Sequence, residues 1–462
     1  MLDFNIYQSP FSFRYGSQEM RRLWSEVNKR RIWRKIWVEM AKAQMQFGLA
    51  AKEQVDDLAA HMEDIDIPQA FEIESEIHHD LMAEMHVFAR QCPKGGGILH
   101  LGATSMDIKD NAEALLIKKS LDLILAKLAQ LLEKLGEKIN AYASLPVMGC
   151  THLQPAEPTT LGYRLANYAQ DLMDDYDSLL EVRNTVKGKG FKGAVGTAAA
   201  NVMLFGQEGQ ARFEEIISKS LDLPFFYISS QTYSRRQDFT VLSALAALAA
   251  GAHKFAFDLR LLQSEMIGEL SEPFASAQVG SSAMPFKRNP IESEKIDSLS
   301  RLVSSALQTA WANHASSLLE RTLDDSANRR VILPQTFLAV DEILLTFTRI
   351  IEGLRVNEKA IAVNLEKFGQ FSALESILTE AVKNGADRLS MHEALRQISM
   401  QAWEETQQGT ANPLQKLVLE DEVVKAWISM ERLEELFNIE TYTGIAEARA
   451  LEIAGQIRTR FG

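Results

Sequence analysis

Cysteine is scarce in this chain, whose 462 residues contain two cysteines, Cys92 and Cys150. The two lie far apart in the sequence, and neither belongs to a Cys-x-x-Cys pair. The sequence therefore predicts neither a structural disulfide nor a zinc site. Because proteins without disulfides are typical of the reducing cytosol, we expect a cytoplasmic protein.

Long apolar runs are also missing. No segment approaches the roughly 18 consecutive apolar residues that a membrane-spanning helix needs. The first residues, MLDFNIYQSPF, lack the basic segment followed by an apolar segment that marks a secretory signal. The sequence thus predicts no association with a membrane.

Positive charge is in short supply, because 49 Lys and Arg residues face 62 Asp and Glu residues, for a net charge of −13. This balance argues against nucleic-acid binding, since phosphate backbones are held by basic surfaces. A small anionic ligand needs only local cations, and basic pairs occur at 287–288, 235–236 and 329–330. Each pair could equally be ordinary solvated surface, so the residues around it must decide.

Proline is sparse too, and the 12 prolines leave long stretches without one. Within these stretches apolar residues recur at steps of three and four, which predicts amphipathic helices. The predicted long helices cover 108–143, 159–187, 238–270, 291–320 and 331–352. Alternation typical of strands is rare, and Phe225–Ile228 is the best candidate. We therefore predict an all-α protein.

The predicted helices are longer than the usual 10–14 residues of globular proteins, so each needs a long partner. We expect a central long-helix bundle over 108–353, between an N-terminal helical domain, 1–107, and a C-terminal one, 354–462. The helix at 238–270 is apolar on nearly every side. Such a helix is typically buried, and here we expect its burial against other subunits.

The segment Gly280–Pro290, GSSAMPFKRNP, carries the clearest chemical pattern. Asn289 followed by Pro290 favours a helix start, and Glu292 suggests a capping box. Lys287 and Arg288 would then lie beside free backbone N–H groups, an arrangement that attracts anions. On local chemistry alone, an ordinary capped loop remains an equal alternative.

The same segment closely resembles the signature loop of the fumarase/aspartase superfamily, and its KRN ending is most similar to the adenylosuccinate lyase family. Seven further segments resemble this family over nearly the whole chain, the last two being closest to its animal-type branch. These segments are Arg14–Tyr15, His79–Asp80, HLGATS at 100–105, GAVGT at 193–197, THLQPAEPTT at 151–160, QTYSRR at 231–236 and ERTLDDSANRR at 320–330. The resemblance implies the all-α fold of that superfamily.

The resemblance further implies an anti β-elimination that releases fumarate from a succinyl group attached to nitrogen. Ser281 would be the general base, and Lys287 with Asn289 would hold the aci-carboxylate carbanion. His152 would be the general acid that protonates the departing nitrogen, with Glu294 as its carboxylate partner. Taken without the surrounding motif, His152 could be an ordinary loop histidine.

The resemblance also implies two sets of substrate-binding residues. The first set comprises His79, Asp80 and His100 as substrate-site residues, with Thr104, Ser105 and Gln231 expected at the succinyl group. The set expected at the nucleotide end comprises Arg14, Tyr15, Arg321, Ser326 and Arg330, and guanidinium groups suit phosphate because they pair with it bidentately. His78 and Lys295 are assigned to the substrate site as departures, because each stands where relatives more often have arginine.

No cofactor is expected, because an acid, a base and an anion site suffice for this elimination. The histidines between 78 and 100 lack metal-binding spacings such as HxxxH, so we predict no metal. The resemblance implies a homotetramer in which the 79–105 region, His152 and the serine loop of each site come from three subunits. The implied substrates are adenylosuccinate and succinylaminoimidazole carboxamide ribotide. Another lyase of the superfamily and a non-catalytic helical scaffold remain alternatives.

Overall fold

The computed structural model describes residues 5–275 and 277–462, and helices dominate it. The α-helices are α1 Gln18–Leu23, α2 Glu26–Gln46, α3 Lys52–Ala60, α4 Ile67–Ile77, α5 Asp80–Gln91, α6 Ser105–Ala141, α7 Leu161–Thr185, α8 Ala199–Leu221, α9 Arg236–Leu262, α10 Ile291–Ala315, α11 Asp324–Glu352, α12 Glu358–Gly369, α13 Ala373–Lys383, α14 Arg388–Gln407, α15 Leu414–Glu420, α16 Glu422–Lys425, α17 Met430–Leu436 and α18 Ala446–Phe461. Short 3-10 helices cover Pro10–Ser12, Gly96–Ile98, Gln370–Ser372 and Ile439–Thr441. The predicted all-α class is confirmed.

All five predicted long helices are present, as α6, α7, α9, α10 and α11, with shifted ends. The largest errors are at α9, which ends at Leu262, and at α11, which begins at Asp324. After α9 the chain turns at Gly268, whose φ of 65° is left-handed, and its N–H donates to the Ser264 carbonyl. The apolar pattern of the sequence therefore extends past Leu262, where the helix ends.

Two small antiparallel pairs interrupt the helices. Strands β1, Pro146–Thr151, and β2, Gln154–Thr160, form a hairpin, whereas β3, Leu270–Ser271, pairs with β4, Arg355–Val356. The strand predicted at Phe225–Ile228 is wrong, because Phe225 makes an isolated bridge with Gly188. The hairpin was missed because its strands contain glycine and prolines, which strands usually avoid.

The chain divides into two compact units. The first consists of the described residues up to 128 with 174–252 and 297–345, and the second consists of 129–173, 253–296 and 346–462. The unit boundaries fall inside the five long helices, so these helices contribute to both units. The three-domain division expected from the sequence stays a prediction.

Each unit has its own buried interior. In the first, Trp33 and Trp37 of α2 are buried, and two buried arginines of the same helix, Arg30 and Arg34, share the buried carboxylate of Glu84 on α5. In the second, helices α13 to α17 enclose a cluster that includes Ile377, Leu414 and Leu433. Both α9 and α11 are long and apolar enough to cross a membrane, but 44% and 67% of their apolar windows are buried within the chain. Core helices pass the same test, so this is weak evidence of a membrane span.

Candidate active site

Three of the residues predicted to bind the nucleotide end line one cavity of the first unit. Arg321 precedes α11, and Ser326 and Arg330 lie on its first turns. We call this the arginine cavity, and its remaining lining residues are Met106, Lys109, Glu113, Arg235, Asp325 and Arg329. The Nη1 atom of Arg321 is buried and has no hydrogen-bond partner among the described residues, so it can still donate a hydrogen bond to an anionic ligand.

Buried ion pairs hold the wall of the arginine cavity. Arg235 donates to Asp110 at 3.1 Å and to Asp325 at 2.7 Å. Arg329 donates to Asp238 at 2.7 Å and to the Tyr233 hydroxyl at 2.8 Å. All of these side chains are buried, and burial is the largest cause that raises the pKa of Tyr233 well above its usual value. The network fixes the start of α11 and therefore the position of the residues on it that are predicted to bind the nucleotide end.

Asp80 stands between two cations of the same region. Its carboxylate accepts hydrogen bonds from Lys109 Nζ at 3.1 and 2.8 Å and from Arg330 Nη2 at 2.8 Å. Burial acts to raise the pKa of Asp80, but the charges of Lys109 and Arg330 outweigh it and hold that pKa far below the usual value. Asp80 therefore remains ionised and orients Arg330. Lys109 was not predicted, and its spacing of four residues from Ser105 on one helix was the available signal.

His79, Thr104 and Ser105 are brought together at the starts of two helices. His79 is the N-cap of α5, where Nδ1 accepts from Met82 N at 3.3 Å, and its Nε2 lies 3.3 Å from the Ser105 hydroxyl. Because Nδ1 accepts a hydrogen bond, a neutral ring carries its proton on Nε2. This N–H donates a hydrogen bond to the Ser105 hydroxyl. Buried Asp107 accepts from the backbone N–H of Thr104 at 2.8 Å, which fixes the first turn of α6.

Asp107 also joins this helix start to the predicted GAVGT segment. It accepts from the buried ammonium of Lys189 and from the backbone N–H groups of Lys192 at 3.2 Å and Gly193 at 3.2 Å. Burial lowers the pKa of Lys189, and Asp107 opposes that shift. The predicted binding residues around 104 and the segment starting at 193 are therefore organised by one buried carboxylate that the sequence reading did not single out.

His100 is held by a residue that sequence reasoning missed. The Trp37 Nε1–H donates to His100 Nδ1 at 3.1 Å, and the two rings meet edge to face. Because Nδ1 accepts this hydrogen bond, a neutral ring carries its proton on Nε2, and burial lowers the pKa of His100. His100 has a left-handed φ of 65°, which is unusual for a residue other than glycine and is common at functional sites.

The other predicted binding residues lie in loops or at helix ends of the first unit. Arg14 and Tyr15 follow the 3-10 helix Pro10–Ser12, and Arg14 is exposed. Gln231 donates its backbone N–H to the Glu320 carbonyl at 3.1 Å, next to Arg321. His78 is the exposed left-handed C-cap of α4, with φ 53°. Contacts of these residues with a ligand stay predictions.

The predicted catalytic serine lies in the second unit, in a loop that we call the serine loop, residues 280–290. The Ser281 hydroxyl oxygen accepts from the backbone N–H of Ala283 at 3.3 Å and of Met284 at 3.0 Å. Such donors favour a negatively charged oxygen over a neutral one. The backbone of the loop thus supplies a field of the kind that the predicted role of Ser281 as a base would need.

The base of the serine loop is closed by side-chain contacts. Asn289 Nδ2 donates to the Gly280 carbonyl at 3.0 Å. Gln263 accepts from Glu272 N at 2.9 Å and donates to the Arg288 carbonyl at 3.1 Å. A Cβ atom at position 280 would lie 2.0 Å from the Lys287 carbonyl oxygen, so the closed loop requires glycine there. Lys287 itself is exposed.

The start of α10 differs from the prediction. Buried Glu272 accepts from the backbone N–H of Glu292 at 3.2 Å, and from the backbone N–H and the hydroxyl of Ser293 at 3.0 Å each. Burial raises the pKa of Glu272, against these hydrogen bonds. The capping box predicted for Glu292 is wrong, because this carboxylate pairs with Lys295 at 3.0 Å and Arg349 at 2.9 Å. Two of the N–H groups expected to attract a substrate anion are thus occupied by the protein itself.

His152 lies at the tip of the β1–β2 hairpin. Thr151 pairs with Gln154, and the two residues between them, His152 and Leu153, have left-handed φ values of 54° and 60°. This is the geometry of a type I′ turn, which normally favours Asn and Gly. A left-handed residue other than glycine costs roughly 1–2 kcal/mol, and such strain is concentrated at functional sites. The turn presents His152 as an exposed side chain.

The carboxylate predicted to pair with His152 has a different neighbour within the chain. Glu294 lies 3.6 Å from Arg260, measured between Oε1 and Nη2. Its pairing with His152 stays a prediction. Lys295, one of the two departures, is held by Glu292 on the same helix turn.

The structure also bears on the cysteines and on metal binding. Cys92 and Cys150 are both free, and burial raises the pKa of Cys92 to about 12. Within residues 5–275 and 277–462, no group of three or more His, Cys, Asp and Glu residues could hold a metal ion.

Comparison with solved structures supports the fold. Fumarate lyase from Mesorhizobium sp. BNC1 superposes with a TM-score of 0.85 at 22% identity, covering 97% of this chain and 99% of that one. The 3-carboxy-cis,cis-muconate lactonizing enzyme from Pseudomonas putida gives 0.84 at 24% identity, with 98% and 100% covered. At these identities the likeness shows the fold alone.

Sequence comparison is more specific. A family model described as "Lyase" matches residues 10–304, and one described as "Adenylosuccinate lyase C-terminus" matches 371–450. Adenylosuccinate lyase from Saccharomyces cerevisiae is 38% identical, with 96% of this chain and 93% of that protein covered. The enzyme of the same name from Methanocaldococcus jannaschii is 34% identical, with 98% and 96% covered. The chain is therefore a member of the adenylosuccinate lyase family.

Proposed function

We propose that this protein cleaves adenylosuccinate to AMP and fumarate, and succinylaminoimidazole carboxamide ribotide to the free ribotide and fumarate. Both are steps of purine nucleotide biosynthesis. The observation that carries the proposal is the pair of backbone N–H groups on the Ser281 hydroxyl oxygen, since an elimination needs a base. Membership of the adenylosuccinate lyase family supplies the substrates.

The reaction requires two proton transfers and no cofactor. Ser281 removes a proton from the carbon next to the succinyl carboxylate, leaving an aci-carboxylate carbanion that Lys287 and Asn289 stabilise. The electron pair then forms the double bond of fumarate as the carbon–nitrogen bond breaks. His152 protonates the departing nitrogen, and Glu294 favours the protonated form of His152. The Asn289 amide group uses one N–H to donate to the Gly280 carbonyl, and its second N–H can donate to the carbanion.

Binding of the substrate is divided between the remaining predicted residues. The arginine cavity, with Arg14 and Tyr15, receives the nucleotide end, and its fixed guanidinium groups suit an anionic group. His79, His100, Thr104, Ser105 and Gln231 surround the succinyl group. The tautomer of His100 supports this assignment, because a neutral ring with its proton on Nε2 is a hydrogen-bond donor.

We further propose a cytoplasmic homotetramer with sites shared between subunits, and no nucleic-acid or membrane partner. Large apolar side chains left exposed by the chain support this assembly. Phe257 on α9 is 56% exposed, and Phe286 in the serine loop is 82% exposed. The proposed acid and base, on the hairpin tip and in the serine loop, need a surface to exclude water from them.

The activity is tested by adding adenylosuccinate to the purified protein and following the ultraviolet absorbance and the release of fumarate. Steady conversion to AMP and fumarate is expected. If a pure, folded protein left adenylosuccinate intact, the non-catalytic scaffold would be the better interpretation. Release of fumarate from another succinyl compound alone would favour a different lyase of the superfamily.

Shared sites are tested by mixing two inactive variants, Ser281→Ala and His152→Ala, under conditions that allow subunits to exchange. Hybrid tetramers would contain some sites with both residues intact, so partial activity should return. As a control, two differently tagged preparations of the same variant, Ser281→Ala, are mixed in the same way. This mixture should stay inactive, because none of its sites contains Ser281. No recovery after exchange has been confirmed by the tags would contradict shared sites.

A further inference from the structure

Lys109 lies in the arginine cavity, and neither the family motifs nor the proposed chemistry assigns it a role. It is on α6, one turn after Ser105, and its side chain is 20% exposed. Its ammonium group donates hydrogen bonds to both oxygens of Asp80, and one of these oxygens also accepts a hydrogen bond from Arg330. Lys109 and Arg330 are therefore neighbouring cations on the wall of one cavity.

The ionic balance of the cavity leaves positive charge at this position. Arg235 is matched by Asp110 and Asp325, and Arg329 by Asp238 and Glu113. By contrast, Lys109 and Arg330 share the single carboxylate of Asp80. At this position two cations therefore face one carboxylate.

We propose that Lys109 is a substrate-binding residue that, together with Arg330 and Arg321, holds the phosphate group of the nucleotide. The inference rests on the proposed function, because it deepens the assignment of the nucleotide end. A phosphate carries up to two negative charges and several acceptor oxygens, which one ammonium and two guanidinium groups can satisfy together. Asp80 keeps Lys109 and Arg330 side by side until the phosphate arrives.

The test is calorimetric binding of AMP and of adenosine, which differ by the phosphate alone. Lys109→Met should weaken AMP binding by about tenfold or more, as expected for a lost charged hydrogen bond, and should leave adenosine binding unchanged. Lys109→Arg should retain most of the AMP affinity. Lys118→Met is a matched control, because Lys118 is on the same helix and pairs with Asp222 outside the cavity; its AMP affinity should equal that of the wild type.

The outcomes separate this inference from the proposed function. Unchanged AMP binding by Lys109→Met would overturn the phosphate contact, and equal weakening of AMP and adenosine would show that Lys109 only maintains the shape of the cavity. A higher KM for adenylosuccinate with unaltered AMP binding would place Lys109 at the succinyl carboxylates, and it would also overturn the proposal. Since AMP binding requires no turnover, a wild-type protein without lyase activity would refute the proposed function and leave the binding test valid.

Discussion

The arginine cavity and the serine loop are built in opposite ways. The cavity wall consists of side chains on helices, and its cations are fixed by buried carboxylates such as Asp110 and Asp238. The serine loop has mostly exposed side chains and is closed at its base by hydrogen bonds from the side chains of Asn289 and Gln263 to backbone carbonyls. The arginine cavity is therefore organised before a ligand arrives, whereas the serine loop, which we propose takes part in proton transfer, is held by contacts at its base.

This difference has a physical reason. Cations held close together to bind a phosphate repel one another, so they need permanent counter-charges and a rigid support. A base that acts on a substrate must first admit it and then exclude water, which requires a loop that can open and close. The same chain therefore combines costly buried ion pairs with a loop whose hydrogen bonds can be exchanged.

The largest expected effect follows from removing the base. Ser281→Ala should lower kcat by roughly 10²–10⁴-fold, the usual contribution of a general base, while AMP binding in the arginine cavity stays the same. Fumarate release and calorimetry measure the two properties separately. Ser282→Ala, one residue along the same loop, is the control and should retain most activity. If Ser281→Ala remained nearly fully active, another group would have to be the base.

The next effect tests the rigid support of the cavity. Arg329→Met removes the partner of buried Asp238 and of the Tyr233 hydroxyl, and breaking such a buried pair costs about 3–5 kcal/mol of unfolding free energy. Urea unfolding measures the loss. Arg396→Met removes an equally well-formed but exposed pair with Glu393, and it should change stability little. Similar losses for both variants would contradict a special role of the buried network.

The sequence predicted the fold class, the five long helices and, through the family resemblance, three of the residues that line the arginine cavity, Arg321, Ser326 and Arg330. The long helices could be predicted from one sequence because their apolar residues recur at every turn. The hairpin that carries His152 could not be predicted in this way. Its left-handed turn at His152 and Leu153 uses residues that this turn type normally avoids, so local preference pointed elsewhere.

The supporting residues were missed for a different reason. Trp37, Asp107 and Glu272 act through contacts with residues far away in the chain, and nothing in their own neighbourhood marks them. The N-cap of α10 illustrates the limit. Asn289 has the preferred residue type and position, yet a carboxylate from a preceding segment occupies the helix start. Tertiary contacts therefore decided between two capping arrangements that the sequence alone could not distinguish.

A smaller effect is expected at that helix start. Glu272→Ala leaves two N–H groups and the Ser293 hydroxyl without their acceptor, at a cost of about 1–3 kcal/mol in unfolding free energy. Asp387→Ala removes the same kind of contact from Ser390 at an exposed helix start, and it should cost less because water replaces the carboxylate. Chemical unfolding of both variants gives the comparison. Equal losses would show that burial adds nothing to the cap.

The smallest expected effect is a pH dependence near the hairpin of His152. Glu157 of β2 shares a hydrogen bond with Glu375 of α13, and this contact, with burial and repulsion between the two groups, raises the pKa of Glu157 to about 7. In the unfolded chain Glu157 loses its proton near its ordinary value, whereas the folded chain keeps the proton until about pH 7. Stability should therefore fall as the pH rises from about 4.5 to 7, and it should level off above that range.

Glu157→Gln cannot lose a proton, so its melting temperature should fall less over this interval. The carboxylate of Asp80 in the arginine cavity has a lowered pKa and stays charged throughout, so it contributes no slope there. Identical pH profiles of Tm for the wild type and Glu157→Gln would show that the two carboxyl groups do not share a proton.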